Sequence, residues 1–134
     1  MLRSILSVSI GFIAWYIHIV ILWVLFGYSA EREPPQEFLA FSLCVEALFA
    51  AGAGYISGLI ARNKALLHGL LLGAVFALFG VVGVIVYILR DYTTPLWVPL
   101  STILIIAPCA ALGGWLRSRR YDRLWDESIK KGGP

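Results

Sequence analysis

The stretch FLAFSLCVEALFAAGAGYISGLIAR, Phe38 to Arg62, decides the fold. It is apolar over the length of a membrane span, carries one carboxylate, Glu46, about two turns inside, and then thins into Ala50, Ala51, Gly52, Ala53, Gly54 and Gly58. A carboxylate at that depth is expensive unless it faces protein or water. Small residues at helical spacing let helix backbones approach closely. The segment therefore reads as the buried helix of a membrane bundle, with Ser42, Glu46, Ala50, Ala53 and Ser57 along one face.

Working outward, the apolar runs cover roughly residues 5–27, 38–61, 66–89 and 96–116. Each reaches the ~20 residues that a helix needs to cross ~30 Å of hydrocarbon. The chain has 134 residues, of which 60% are hydrophobic and 14% charged, and its mean hydropathy is +0.83. These values lie outside the soluble range and leave no room for a soluble domain. The expected fold class is all-α: a polytopic membrane protein forming one domain over 1–134, an antiparallel bundle of four transmembrane helices, with a short amphipathic surface tail over 117–134.

Orientation follows from where the charges fall. Arg3, Arg62, Lys64, Arg117, Arg119, Arg120, Arg123, Lys130 and Lys131 share one side of a four-span arrangement, and Arg32 and Arg90 the other. The positive-inside rule then makes both termini cytoplasmic. The first span follows Met1-Leu2-Arg3 and precedes Ser29-Ala30, as a signal peptide would, but it is too long, and Tyr28 is bulky where a cleavage site prefers a small residue. It is read as an uncleaved span. Cys44 and Cys109 differ in depth by ~12 Å along their helices, too far for a disulfide.

The first span is the most aromatic, and Gly11, Trp15, His18 and Leu22 form one stripe that should face protein. The acidic loop with Glu31, Glu33, Pro34, Pro35 and Glu37 matches no calcium-loop spacing and reads as solvated. The third span carries Gly69, Gly73, Ala77, Gly80 and Gly83, which with Gly54 and Gly58 are the expected helix-packing positions. His68 reads as an interfacial residue among headgroups. Pro108, inside the fourth span, should bend it. In the tail, Arg117, Arg119, Arg120 and Arg123 are expected to contact lipid headgroups, at about 1 kcal/mol each. Asp122, Asp126 and Glu127 interrupt that basic run, so no nucleic-acid partner is expected.

One constellation has chemical content. Counted from the outer ends of their helices, His18 and Glu46 are both ~12 to 14 Å deep, on helices that a short loop makes neighbours. They are expected to meet, in a polar layer with Ser42, Ser101, Thr102 and Trp15. Such a layer is either a site or a polar fastening between helices, and fastenings of this kind average only about 0.6 kcal/mol each. The sequence has no metal-ligand cluster, nucleophile motif, phosphate-binding glycine loop or redox cysteine pair. No catalytic residue, metal or cofactor is expected, and the chain is not read as an enzyme.

Gly54-Tyr55, Gly58, Ala61-Arg62, Leu66, His68-Gly69 and Gly73, together with Met1 to Leu6 and Gly11-Phe12, make the chain similar to small four-span bacterial inner-membrane proteins, a largely uncharacterised group. The resemblance implies a multi-pass protein of the bacterial inner (plasma) membrane and no particular chemistry. Three functions are open from the sequence. The first is an accessory or scaffold subunit packed through glycine-rich helix faces against other membrane subunits or itself. The second is an oligomeric small transporter or proton-coupled channel that uses Glu46 and His18. The third, a minor one, is a pigment- or haem-binding subunit with His18 as axial ligand, against which stands the lack of a partner histidine beside it.

Overall fold

Apolar runs of this length in lipid must satisfy every backbone N–H and C=O internally, which helices do. The computed structural model describes residues 2–28, 34–61, 64–90 and 95–130, the side chains of residues 2, 90 and 121–130 excepted. Among the described residues it is entirely helical: α1 (Leu2–Leu25), α2 (Gln36–Ala61), α3 (Ala65–Arg90), α4 (Trp97–Ser101), a π-turn (Thr102–Ile106) and α5 (Ala107–Lys130). Four stretches are long and apolar enough to cross a membrane: Arg3–Leu25, Gln36–Ala61, Ala65–Leu89 and Trp97–Arg120. The fourth joins α4, the π-turn and the start of α5. α5 runs unbroken to Lys130, so the tail continues the fourth span as one helix through that residue.

The ends are set by local chemistry. α1 stops at Gly27, whose φ is +69°, with Tyr28 N–H donating to Trp23 O (3.0 Å) and Gly27 N–H to Val24 O (3.1 Å). This is the Schellman arrangement, which favours glycine at the left-handed position. Tyr28 then lies against Phe38 with ring centroids 4.4 Å apart, and Trp23 and Phe26 close on the same ring. That cluster ties the end of α1 to the start of α2. Between α2 and α3 the left-handed position is held by Lys64, at φ +58°, a conformation that costs a residue with a Cβ about 1–2 kcal/mol. Lys64→Gly is thus expected to stabilise the protein by about 1 kcal/mol and Gly27→Ala to destabilise it by a similar amount. Thermal unfolding in mild detergent should show opposite shifts in Tm for the two.

Pro108 has no N–H to give to Leu104 O, and its ring crowds that carbonyl. The chain responds immediately upstream. Residues Thr102–Ile106 form a π-turn in which Ala107 N–H donates to Thr102 O, one residue further back than in an α-helix.

Packing is closest where side chains are absent. A Cβ built on Gly69 would lie 2.7 Å from Gly114 Cα, one on Gly73 2.7 Å from Ala107 O, and one on Gly80 2.7 Å from Ile103 Cγ1, so α3 lies directly on α5 and the π-turn. Toward α2, a Cβ on Gly54 would overlap the Ala110 carbonyl and one on Gly113 the Ala51 carbonyl. Gly58 faces Ala65 and the Arg117 stem, while Gly83 meets only the Pro99 ring, at 3.2 Å. α2, α3 and α5 therefore interlock backbone to backbone, and α1 lies across α2 and α3. Its Phe12 and Trp15 rings meet Phe76, which with Leu72 and Ile106 forms the fully buried centre.

Candidate functional site

The α1 stripe predicted to face protein does so: Gly11, Trp15, His18 and Leu22 are all buried. Trp15, 2% exposed, lies 4.5 Å from the Phe76 ring. Its Nε1–H has no hydrogen-bond partner in the structure. His18 lies one turn on, toward the end of α1, and is 8% exposed. Its Nδ1 is 3.3 Å from Trp15 O, a separation that the Nδ1–H tautomer closes as a donor. The imidazole stacks face to face on Phe49 of α2, centroids 3.8 Å apart and planes 3° apart. Nε2 is buried with no partner.

Glu46 stands three residues before Phe49 and is partly buried. No hydrogen bond joins it to His18, whose Nδ1 faces its own helix and whose Nε2 has no partner. The expected polar layer is dispersed in the same way. Ser42 Oγ donates to Leu39 O at 3.0 Å and Ser101 Oγ to Val98 O at 2.6 Å, each within its own helix. Thr102 is turned toward α3, its Cβ 3.2 Å from where a Gly80 side chain would begin, and lines a cavity of about 310 Å3 with Pro99, Gly83 and Tyr87. The α1–α2 pair thus carries three polar groups without mutual contacts: a carboxylate, an indole N–H and an imidazole nitrogen.

At the other end of the bundle the structure buries polar groups that the sequence reading treated lightly. Ser7, Ser57 and His68 are buried. Ser7 Oγ donates to Ser4 O, Ser57 Oγ has no partner, and His68 Nδ1 lies 3.0 Å from Lys64 O. His68, read as a headgroup contact, is instead an inward residue, 6% exposed. The signal was there in its spacing: it belongs to the stripe of Ala65, Gly69, Leu72 and Phe76, three and four residues apart, all of which are buried.

The basic residues of α5 also make contacts within the chain, and Arg119 and Arg120 remain exposed. The Arg117 stem packs at Gly58, and its Nε is buried. Arg119 lies 4.3 Å over the Trp115 ring, and Arg120 reaches the Tyr55 hydroxyl at 3.4 Å. The Arg123 side chain, also expected among headgroups, lies outside the described residues, as do Arg62 and the loop carboxylates Glu31 and Glu33. Cys44 and Cys109 are free thiols. Among the described residues no three His, Cys, Asp or Glu side chains gather as a metal site would require.

Compared with known protein families, characterised proteins and solved structures, the chain matches none.

Proposed function

We propose that this protein is an accessory or scaffold subunit that crosses the bacterial inner membrane four times as an antiparallel bundle, with both termini in the cytoplasm, and assembles with other membrane subunits or with itself. The observation that carries the reading is the direction of the polar side chains. Ser7, Ser42, His18 and Ser101 each turn back to a carbonyl of their own helix, so polarity within the spans serves the helices and does not converge on a shared centre. The glycines and alanines of α2, α3 and α5 meanwhile lock three backbones together. Since the glycine faces are occupied within the chain, a partner docks on the remaining apolar exterior and not on the glycine ladders. Purification in a mild detergent tests this directly: a stoichiometric membrane partner, or a defined homo-oligomer, is the expected result. A monodisperse monomer that no other subunit accompanies would refute it.

A small transporter or proton-coupled channel is the second reading, favoured by Glu46. It is the one carboxylate within the described spans away from a helix end, and it stands on α2 three residues before Phe49, the ring on which His18 is stacked. Glu46→Gln separates the two readings. In a scaffold the substitution changes stability in detergent by about 1 kcal/mol or less. In a coupled transporter, proteoliposomes show pH-dependent flux that Glu46→Gln abolishes.

A further inference from the structure

Pro108 leaves the fourth span short of donors. Ala107 N–H turns back to Thr102 O, Pro108 has no N–H to give, and Ala110 N–H belongs to Ile106 O once α5 is under way. The carbonyls of Ile103, Leu104 and Ile105 are left with one donor on their own helix, Cys109 N–H, so in one-to-one pairing two of the three go unserved. A helix carbonyl points toward the residue four on. Leu104 O therefore points at Pro108, and both residues face outward, Leu104 at 71% exposure. They lie seven and eleven residues inside the Trp97 end of the span, ~10 Å or more from that end. An unserved carbonyl at that depth has no water to turn to.

The missing donor is carried elsewhere on the same chain. Tyr16 of α1 is half exposed, nine residues from the end of α1 at Leu25 and fourteen from its start. Its ring lies nearly parallel to that of Phe12, and its hydroxyl has no hydrogen-bond partner among the described residues. A phenol O–H surrounded by hydrocarbon seeks an acceptor. The two groups stand at one level of the bundle. Trp15, beside Tyr16, meets Phe79 with centroids 6.4 Å apart, and Gly80, next along α3, sits against Ile103 and Thr102. They do not meet within one chain, because α1 and the fourth span both pack on α2 and α3 and not on each other.

We propose that Tyr16 of one copy donates its O–H to the carbonyls freed around Leu104 in a second copy, so that the exposed face of α1 docks on the exposed face of the fourth span. The inference rests on the scaffold reading and names the partner as this same chain. Donor and acceptor lie on different faces, so the contact is heterologous: copies join head to tail within the membrane and not about a two-fold axis. Apolar side chains flank both groups, Ile13 and Val20 on α1 and Ile105 and Leu112 on the fourth span, all exposed. The hydrogen bond is what singles out this pairing among contacts between apolar faces.

The test uses the full chain in proteoliposomes, with association read by Förster transfer between copies labelled at the C-terminus. Wild-type copies are expected to associate. Tyr16→Phe, which removes only the hydroxyl, and Pro108→Ala, which gives Leu104 O an N–H, should each weaken association about three- to tenfold, the worth of one hydrogen bond. The double variant should be no weaker than either single one, because both changes remove the same bond. Additive losses would overturn the pairing. Cross-linking reads the geometry: with Cys44 and Cys109 replaced by alanine, a short thiol-reactive cross-linker should join Tyr16→Cys copies to Leu104→Cys copies and neither to its own kind. Tyr16→Cys copies joined to one another would mean a two-fold contact and overturn the head-to-tail arrangement. Association unmoved by Tyr16→Phe and Pro108→Ala would overturn the inference and leave the scaffold reading standing. Wild-type copies that stay apart overturn it too, and the scaffold reading falls with it only if no other subunit co-purifies in mild detergent.

Discussion

Gly113→Ala is expected to force α5 off α2. The new Cβ would overlap the Ala51 carbonyl oxygen and lie 2.8 Å from Tyr55 N. Neither neighbour is the flexible end of a side chain, so relief requires one helix to move relative to the other. α5 cannot simply slide aside, because an adjacent face is also held at short range, 2.7 Å, by Gly69 against Gly114 and Gly73 against Ala107. Overpacking a well-filled core costs about 1–3 kcal/mol when side chains can adjust. A backbone collision on a helix held along two faces should exceed that range and abolish cooperative unfolding in mild detergent. Gly52→Ala is the comparison, since its methyl meets nothing within 4 Å. Alanine is the better helix former, so this variant should be neutral or more stable by up to about 1 kcal/mol. Equal melting behaviour for the two variants would refute the interlocked packing of α2 and α5.

The second large effect is expected at Phe76. Its ring is fully buried, 4.5 Å from Trp15 and 6.0 Å from Phe12 by centroid, and it joins α1 to α3 in the buried centre. In a soluble protein, Phe→Ala at such a site costs about 3–5 kcal/mol. Part of that figure is transfer from water, which largely vanishes when the alternative environment is lipid. What remains is lost dispersion and the cavity, so about 2–3 kcal/mol is expected for Phe76→Ala, with α1 the first helix to separate. Phe79, three residues further along α3, half exposed and with its ring 6.4 Å from that of Trp15, should lose less than half as much on the same substitution. Detergent unfolding monitored by tryptophan emission would show it. Similar losses at both positions would mean that Phe76 does not organise the α1 contact.

Much of the fold was legible in the sequence. The four runs at 5–27, 38–61, 66–89 and 96–116 agree to within a few residues with Leu2–Leu25, Gln36–Ala61, Ala65–Arg90 and the start of the fourth span at Trp97. Hydropathy is a sum over neighbours along one axis, and nothing distant alters it. Gly54, Gly58, Gly69, Gly73 and Gly80 were readable as close-packing positions for the same reason, and all five meet neighbours at short range. The irregularity near Pro108 was also readable, because a missing N–H is a local fact; its form as a π-turn was not.

The candidate site was legible only in part. Matched depth along α1 and α2 led to the expectation that His18 meets Glu46, but the ring rests on Phe49, and no hydrogen bond links it to Glu46. Depth is a count of residues. Direction is an angle, and each residue turns about 100° around the helix. Gly52 and Gly54 make the same point: two positions apart in one small-residue run, they face roughly opposite ways, one toward the Ala110 backbone and the other toward an open groove. By itself the sequence determined how many spans there are, where each begins, and which residues are small enough for contact. Only the tertiary structure decided which of those residues touch and which polar atoms stay unpartnered, because the rotation of each helix is fixed by steric fit against the other three.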